Sequence, residues 1–300
     1  MITSNQQTLY SANIEKEKLV KSKPWTEIIS PRTSLFDLRL GELWRYRDLV
    51  MMFVKRDFVS NYKQTILGPI WFILQPLLTT VTFMIIFGRI AKLSTEGIPM
   101  MLFYLSGITI WNFFSDSLNK TATVFKDNAQ MFGKIYFPRL TMPASIVISN
   151  LVKFGIQFAL FLGVWVYFLL KKENVHPNGY VALVPLLLLL MGLMALGLGM
   201  IISAMTTKYR DLSFLLSFGV QLLMYATPVV YPISQISDKY KWIVMINPLS
   251  AILETFRYSF LGSGTFSWTS LCYTSAFTLI ILITGVIVFN KVEKTFTDTV

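Results

Sequence analysis

Polar side chains recur at helical spacing within stretches of this chain that are otherwise apolar. The three stripes are Gln75, Thr79 and Thr82; Asn150, Lys153 and Gln157; and Ser213, Ser217, Gln221 and Tyr225. Residues three and four apart lie on one face of a helix, so each stripe offers a row of hydrogen-bonding groups. The chemistry that they predict is non-covalent. They form either hydrogen bonds between helices or a shared path for a polar molecule.

Lys153 is the charged member of these stripes. An ammonium group in an apolar segment must face water, a phosphate or a carboxylate, or extend to the nearest aqueous surface. Together the stripes favour a hydrophilic pathway through the molecule. The polar residues that we predict to line it are Gln75, Thr79, Asn150, Lys153, Gln157 and Gln221.

Side chains suited to covalent catalysis are scarce. One cysteine, Cys272, and one histidine, His176, cannot build a disulfide framework or a Cys/His metal cluster. The sequence has no G-x-x-x-x-G-K-S/T loop to hold nucleotide phosphates, and His176 has no evident orienting partner for a catalytic triad. We therefore predict that the chain is not an enzyme, and that it holds no metal or cofactor of its own.

The composition requires lipid around most of the chain. Hydrophobic residues make up 54% and charged residues 14% of the sequence, and the mean hydropathy is +0.56. These values exclude a soluble globule with a polar surface. Since a bilayer core of about 30 Å needs about 20 helical residues, we predict an all-α integral membrane protein. Its six transmembrane helices are predicted at 66–88, 100–118, 141–170, 180–205, 212–230 and 268–290.

The basic residues predict the orientation of these spans. If both termini are cytoplasmic, 19 of the 27 Lys and Arg lie on the cytoplasmic side and seven on the other, in agreement with the positive-inside rule. This distribution explains the net charge of +11 without nucleic acid as a partner. Residues 1–37 lack an apolar signal segment and are predicted to form a cytoplasmic N-terminal tail.

The segment 38–62 is predicted to form an amphipathic helix in the cytoplasmic membrane interface. Apolar residues such as Leu43, Trp44 and Phe58 recur on one side, and charged residues mark the other. The alternative is a helix packed in a soluble core, but no soluble domain remains for it to pack against. Residues 63–300 then form the six-span transmembrane domain.

The stretch between the fifth and sixth spans is predicted to fold as a re-entrant outer hairpin. Pro228 and Pro232 interrupt the helix near the end of the fifth span. The apolar stretch 242–261 contains Pro248 and charged residues, so a full span is unfavourable there. A hairpin near 231–262 that enters from outside and returns would be placed to act as a gate.

Six motifs along the chain are similar to those of a known family. They are LWRYRDL at 43–49, RDFVSNYKQTILGPIW at 56–71, KIYFPR at 134–139, KYRDL at 208–212, YATPVVYP at 225–232 and EKTFTDTV at 293–300. In order and spacing they resemble the permease subunit of bacterial ABC-type polysaccharide exporters. The resemblance extends from about residue 38 onward and constrains the N-terminal tail least.

This resemblance implies a homodimer of six-span subunits in the bacterial cytoplasmic (inner) membrane. It further implies two separate ATP-binding cassette subunits that bind MgATP and hydrolyse it. The implied substrate is a polyprenyl-diphosphate-linked glycan such as O-antigen or teichoic acid. Short cytoplasmic coupling elements of the family correspond to loops near 119–138 and 205–211, and its outer gate corresponds to 231–262.

The resemblance also implies roles for individual side chains. A basic group would meet the diphosphate headgroup, although attraction to anionic membrane lipids would explain it as well; its members are Arg45, Arg47, Lys55, Arg56 and Lys63. Aromatic side chains would form flat surfaces for sugars, unless they only pack in the core or face lipid; they are Trp71, Phe72, Phe83, Phe87, Tyr225 and Tyr231. Residues expected to couple to the ATPase are Lys126, Asp127, Lys208, Arg210 and Asp211.

Two other functions stay open from the sequence. A membrane-embedded glycan polymerase or ligase would need a large soluble loop with clustered catalytic residues, and none is visible. The other is an exporter of a drug or another lipid within the same superfamily. Only the motif series distinguishes it from a glycan exporter, because the composition is compatible with either cargo.

Overall fold

The computed structural model describes residues 40–63, 65–132, 137–209 and 211–296. Every regular element in these residues is helical, which confirms the all-α class for the described part of the chain. The predicted tail at 1–37 lies outside the described residues, as do Lys134 of one predicted coupling loop and Arg210 of the other.

The α-helices are numbered here in chain order. They are α1 (Leu40–Arg45), α2 (Arg47–Tyr62), α3 (Trp71–Phe83), α4 (Met100–Ala122), α5 (Val124–Asp127), α6 (Ala129–Phe132), α7 (Thr141–Leu170), α8 (Val184–Lys208), α9 (Leu212–Ala226), α10 (Asp238–Ile246), α11 (Pro248–Leu261) and α12 (Trp268–Phe296). Short 3-10 helices precede three of them, at Gly68–Ile70, Gly179–Leu183 and Ile233–Gln235, and a π-helical turn at Met84–Ile90 continues α3.

Four segments of the described residues are long and apolar enough to cross a membrane. They are Gly68–Ile90, Thr141–Leu170, Gly179–Lys208 and Trp268–Val292, and they correspond to the first, third, fourth and sixth predicted spans. The second predicted span is α4, whose 23 residues include Asn112 and Asp116. The fifth is α9, which has 15 residues. The predicted number of six spans is therefore not confirmed.

Helix α4 tolerates polar residues because protein surrounds it. Its residues from Leu102 to Trp111 are all buried, and it packs against α3, α7 and α8, while α8 packs along α12. Polar groups on an enclosed helix can find partners in neighbouring helices instead of facing lipid. The main core around α4 includes Phe114, Phe161 and Phe256.

A second hydrophobic cluster lies where α4 and α12 end and where α2 packs. It joins Phe53 of α2, Phe125 of α5, Phe132 of α6 and Phe289 of α12. Phe125 stacks on Phe289 with ring centroids 4.5 Å apart, and Phe132 lies 5.7 Å from Phe125. We call this end of the bundle the α2 end. The opposite end, where α7 ends and α8 and α12 begin, is called the α11 end.

The segment predicted as one interface helix forms two helices. Tyr46, at φ −93° and ψ 20°, departs from helical geometry and separates α1 from α2. Helix α2 buries Val50, Phe53 and Val54 and packs mainly on α7. Trp44 of α1 is 72% exposed, so α1 presents an aromatic side chain to the surroundings while α2 is held by the bundle.

Glycines allow α8 to approach its neighbours closely, as the small-residue spacing of this segment predicts. A Cβ on Gly199 would lie 2.5 Å from Thr121 Cβ of α4. A Cβ on Gly285 of α12 would lie 2.5 Å from the carbonyl oxygen of Gly197 and 3.0 Å from its Cα. Because these last atoms belong to the backbone, a rotamer change cannot relieve the clash.

Replacing Gly285 with alanine is therefore expected to destabilise the protein. The two helices would have to separate, and overpacking of this kind costs about 1–3 kcal/mol. Gly163→Ala in α7 is the matched control, because nothing lies within 4 Å of its added Cβ and alanine favours helix. Thermal unfolding of the detergent-solubilised variants measures the difference. A melting temperature for G285A that equals or exceeds that of G163A would contradict the packing.

The predicted re-entrant hairpin is not confirmed, but helices α10 and α11 meet at a corner formed by Asn247. Its side-chain oxygen accepts a hydrogen bond from Leu249 N at 3.1 Å, and its Nδ2 donates to Thr227 Oγ1 at 2.8 Å, just after α9. Thr274 Oγ1 of α12 donates to Pro248 O at 3.2 Å. Since Thr274 is the sixth residue after Trp268, the corner lies about 9 Å along α12 from its start.

Candidate functional site

An ion pair between α4 and α7 is the strongest candidate site. Lys153 Nζ donates to Asp116 Oδ2 at 2.6 Å, and the two side chains are 19% and 33% exposed. Lys153 Nζ also lies 5.8 Å from the ring centroid of Phe72 on α3, within the range of a cation–π interaction. The pair therefore connects α4, α7 and α3 and remains partly accessible.

Polar groups continue from this pair along the two antiparallel helices. Gln157 Oε1 accepts a hydrogen bond from Asn112 Nδ2 at 3.4 Å, one turn from the ion pair. Two amide nitrogens, Asn150 Nδ2 and Gln157 Nε2, are buried without a hydrogen-bond partner in the described part of the chain. Because a buried donor without a partner is costly, these groups favour water or a polar ligand beside the ion pair.

Half of this site was predictable from the sequence. Lys153 was expected to face water, a phosphate, a carboxylate or a nearby surface, and the structure supplies the carboxylate of Asp116. Asp116 and Asn112 were not predicted as site residues, since both lie in a segment interpreted only as a span. Their spacing was the available signal: Asn112, Asp116 and Lys120 recur every four residues and so share one face of α4.

The other two predicted stripes lie at the surface of the chain. Gln75 of α3 and Gln221 of α9 are exposed. Thr79 Oγ1 donates to the carbonyl oxygen of Gln75 at 3.0 Å, and Ser217 Oγ donates to that of Ser213 at 3.1 Å. The hydroxyl groups are thus satisfied within their own helices. The glutamine amides instead present polar groups on otherwise apolar helix surfaces.

The aromatic residues predicted for the pathway form three separate groups. These are Trp71 and Phe72 at the start of α3, Phe83 and Phe87 around its end with ring centroids 5.4 Å apart, and Tyr225 near the end of α9 with Tyr231 after that helix. The Tyr231 hydroxyl donates to the carbonyl oxygen of Tyr225 at 2.8 Å. A role for these groups in sugar binding stays a prediction.

The basic residues predicted to meet a headgroup lie at the α2 end. Arg56 Nη2 and Nε contact Asp57 Oδ1 at 2.7 and 2.9 Å, and its guanidinium lies 4.9 Å from the Phe53 ring centroid. The Arg56 side chain therefore makes its contacts with residues of its own helix, α2. All five members of the group are exposed: Arg45, Arg47, Lys55, Arg56 and Lys63.

Short elements at the α2 end carry the residues predicted to couple to an ATPase. Lys126 and Asp127 of α5, and Lys208 and Asp211 between α8 and α9, are exposed. Helix α5 is fixed to the bundle through the stacking of its phenylalanine on α12. Thr206 Oγ1 of α8 donates to the carbonyl oxygen at the end of α4 at 2.8 Å. A force applied to these elements would therefore be transmitted to α4, α8 and α12.

A buried arginine at the α11 end was missed by the sequence analysis. Arg257 of α11 is 1% exposed. Its Nη1 donates to Pro228 O at 2.5 Å and its Nη2 to Val229 O at 2.6 Å, and its guanidinium lies 3.8 Å from the Phe103 ring centroid. Glu254 lies one turn earlier in α11, and its Oε1 is 3.8 Å from Arg257 Nη1. Arg257 thus connects the turn after α9 to α4 and α11.

No group of three or more His, Cys, Asp or Glu side chains among the described residues is placed to hold a metal ion. Cys272 is an exposed free thiol. His176 Nε2 lies 3.1 Å from Asn174 Oδ1 in the loop between α7 and α8. The absence of catalysis and of a cofactor stays a prediction.

Comparison with known proteins connects this architecture to membrane transport. Residues 48–261 match the family described as ABC-2 type transporter. The O-antigen export system permease protein RfbA of Klebsiella pneumoniae is 29% identical over 252 residues, which are 84% of this chain and 94% of that protein. A protein of the same name from Myxococcus xanthus is 26% identical over 261 residues, 86% of this chain and 98% of the relative.

A further relative is the polysialic acid transport protein KpsM of Escherichia coli. It is 23% identical over 240 residues, which are 80% of this chain and 91% of that protein. These matches confirm the resemblance stated from the sequence motifs. They also cover the helices that carry the Lys153–Asp116 pair and the Arg257 anchor.

Proposed function

The chain belongs to the ABC-2 type transporter family, and from this premise we propose that it is the membrane-spanning subunit of an ATP-driven polysaccharide exporter. The observation that carries the proposal is the similarity to O-antigen export permeases over 94% and 98% of their lengths. The cargo is a glycan linked to a polyprenyl diphosphate. The chain itself is a permease and not an enzyme.

The topology that we propose has six spans with both termini in the cytoplasm. Helix α4 has 23 residues and is about 34 Å long, enough for a bilayer core of about 30 Å. Helix α9 has 15 residues and is about 22 Å long, and the turn that follows it supplies the remaining length of the fifth span. The α2 end then faces the cytoplasm, in accordance with the distribution of basic residues. The α10–α11 hairpin enters from outside as a re-entrant gate.

The functional unit that we propose is a homodimer. Most of α9 is exposed, including the large apolar residues Phe214, Leu215 and Phe218, whereas only Val220 of this helix is buried. Lipid could cover the apolar groups, but the exposed amides of Gln75 and Gln221 need water or protein. A second copy that packs beside α3 and α9 would enclose both amides in a hydrated conduit.

The diphosphate enters this conduit from the α2 end. Exposed arginines on α1 and α2 attract it, since guanidinium groups bind phosphate oxygens well. Lys153 lies farther along, and its partly exposed ion pair allows the ammonium to exchange Asp116 for a passing phosphate. The unpartnered amides of Asn150 and Gln157 supply further donors beside it.

ATP binding takes place in a separate subunit that docks at the α2 end. Reversing the charge of exposed Asp211 to arginine is expected to reduce recovery of that subunit in co-purification at least about fivefold, because like charges across an interface are strongly unfavourable. Asp238→Arg is the matched control: this exposed aspartate also starts a helix, but at the opposite end. Equal recovery with D211R and D238R would refute docking at Asp211.

The proposed function is tested in the organism that encodes the chain. Deleting the gene should remove polysaccharide from the cell surface and leave lipid-linked glycan inside the cell, where mass spectrometry identifies it. A plasmid copy of the gene should restore the surface polysaccharide. Normal surface polysaccharide in the deletion strain would overturn the proposal, and accumulation of a drug or a glycan-free lipid would indicate another cargo.

A further inference from the structure

A small cavity of about 160 Å³ lies at the α11 end between α10, α11 and the beginning of α12. Most of its lining surface is apolar, with Ile233, Met245 and Ala251 among the lining residues. The polar residues that line it are Lys241, Ser250, Glu254, Thr255, Thr265, Ser267 and Ser270. None of them belongs to the Lys153–Asp116 site, although Lys241, Ser250, Glu254 and Thr255 lie within the hairpin predicted from the sequence near 231–262.

Two of the lining side chains are almost completely buried. Glu254 is 3% exposed, and its Oε2 accepts a hydrogen bond from Thr265 N at 3.0 Å. Ser250 is 2% exposed, and its hydroxyl has no hydrogen-bond partner in the described part of the chain. Since buried polar groups in folded proteins are nearly always paired, the Ser250 hydroxyl favours a polar occupant in this cavity, either water or a ligand.

The size and charge of the cavity restrict its occupant. It holds about five water molecules at about 30 Å³ each, which is well below the usual volume of a site for a drug-sized molecule. Lys241 and Glu254 contribute opposite formal charges, so the lining favours neither a phosphate nor a cation. Its hydroxyl, carboxylate and ammonium groups match a small neutral molecule with several hydroxyl groups.

We propose that this cavity is a subsite for one sugar residue of the exported chain. The inference rests on the proposed function, because a polysaccharide is the cargo that would deliver such a residue to this end. The position supports it: Asn247 Nδ2 donates to Thr227 Oγ1 just after α9, and the next residue, Pro248, accepts at its carbonyl oxygen from Thr274 Oγ1 of α12. Ser250, which lines the cavity, follows this corner by three residues. A sugar bound there would hold α10 and α11 against α12.

Saturation-transfer NMR with the full-length chain in lipid nanodiscs tests this subsite. The probes are glucose, galactose, mannose and N-acetylglucosamine, each at millimolar concentration, with sorbitol as an acyclic polyol. At least one pyranose should receive saturation from the wild type, and more than sorbitol receives. Ser250→Ala and Lys241→Gln should each weaken that binding by about 3- to 10-fold, the effect of losing one hydrogen bond.

Ser259→Ala is the matched control. Ser259 is also a buried serine of α11, but its hydroxyl donates to Phe256 O at 2.8 Å and does not line the cavity. Its variant should bind the sugar as the wild type does. The subsite is refuted if no pyranose binds, if sorbitol binds equally well, or if S250A and K241Q both bind like S259A. Export in the deletion and complementation assay is measured separately, so the proposed function can stand when the subsite fails.

Discussion

Replacing Arg257 with alanine is expected to lower the melting temperature of the protein by on the order of 10 °C and to abolish export. The side chain is fully enclosed and donates to the carbonyl oxygens of Pro228 and Val229. Its removal leaves these oxygens, and the carboxylate of Glu254, without their cationic partner. Breaking a buried charged contact in this way costs about 3–5 kcal/mol.

A lysine at position 257 is not expected to restore the stability or the export that arginine supports. One ammonium group cannot donate to two carbonyl oxygens and also stack on the Phe103 ring as the planar guanidinium does. Gly107 shows how closely the group is fitted, because a Cβ there would lie 2.8 Å from Arg257 Nη2. The exposed Arg89 provides the control R89A, which should melt as the wild type does. Stability and export of R257K equal to those of R89A would contradict the anchor.

Variants of the Lys153–Asp116 pair are expected to change the stability of the protein and its export activity in different ways. Each single variant, Lys153→Met or Asp116→Asn, leaves a partly buried charge without its partner, so each should lower the melting temperature. The double variant removes both charges. Its unfolding free energy should return toward that of the wild type, with a coupling of about 0.5–3 kcal/mol between the two sites.

The double variant is not expected to recover export when it recovers stability. If Lys153 also binds the diphosphate in transit, the double variant folds but lacks the ammonium group that the substrate needs. We expect export at least about tenfold below wild type, because a hydrogen bond to a charged group contributes about 1.5–3 kcal/mol. Full export by the stable double variant would show that the pair is structural only. Asn119→Ala, on the same helix, is the control and should export normally.

The apolar spans and the helical class followed from the sequence because lipid imposes a local requirement. A helix that faces hydrocarbon must be predominantly apolar over about 20 residues, as in Gly179–Lys208, and this can be counted along the chain. Helix α4 is a case that this count of apolar residues does not explain. Its polar residues are acceptable only because α3, α7 and α8 surround it, and that enclosure is a tertiary property.

The candidate sites were less predictable, because each joins residues that are distant in sequence. Lys153 could be singled out by its charge, but its partner Asp116 is 37 residues earlier. Arg257 is one of 27 Lys and Arg in the sequence, and its charge alone did not mark it as the buried anchor of the turn after α9. The break at Tyr46 between α1 and α2 has no adjacent proline or glycine to signal it.

The central claim is that this chain moves a lipid-linked glycan across a membrane when a partner subunit hydrolyses ATP. It is tested most directly in proteoliposomes that contain the chain, its ATP-binding subunit and a labelled polyprenyl-diphosphate glycan. With ATP outside, the label should become protected from an added glycosidase, and protection should require both the chain and ATP hydrolysis. Protection that is the same without ATP, or in vesicles without this chain, would contradict the claim.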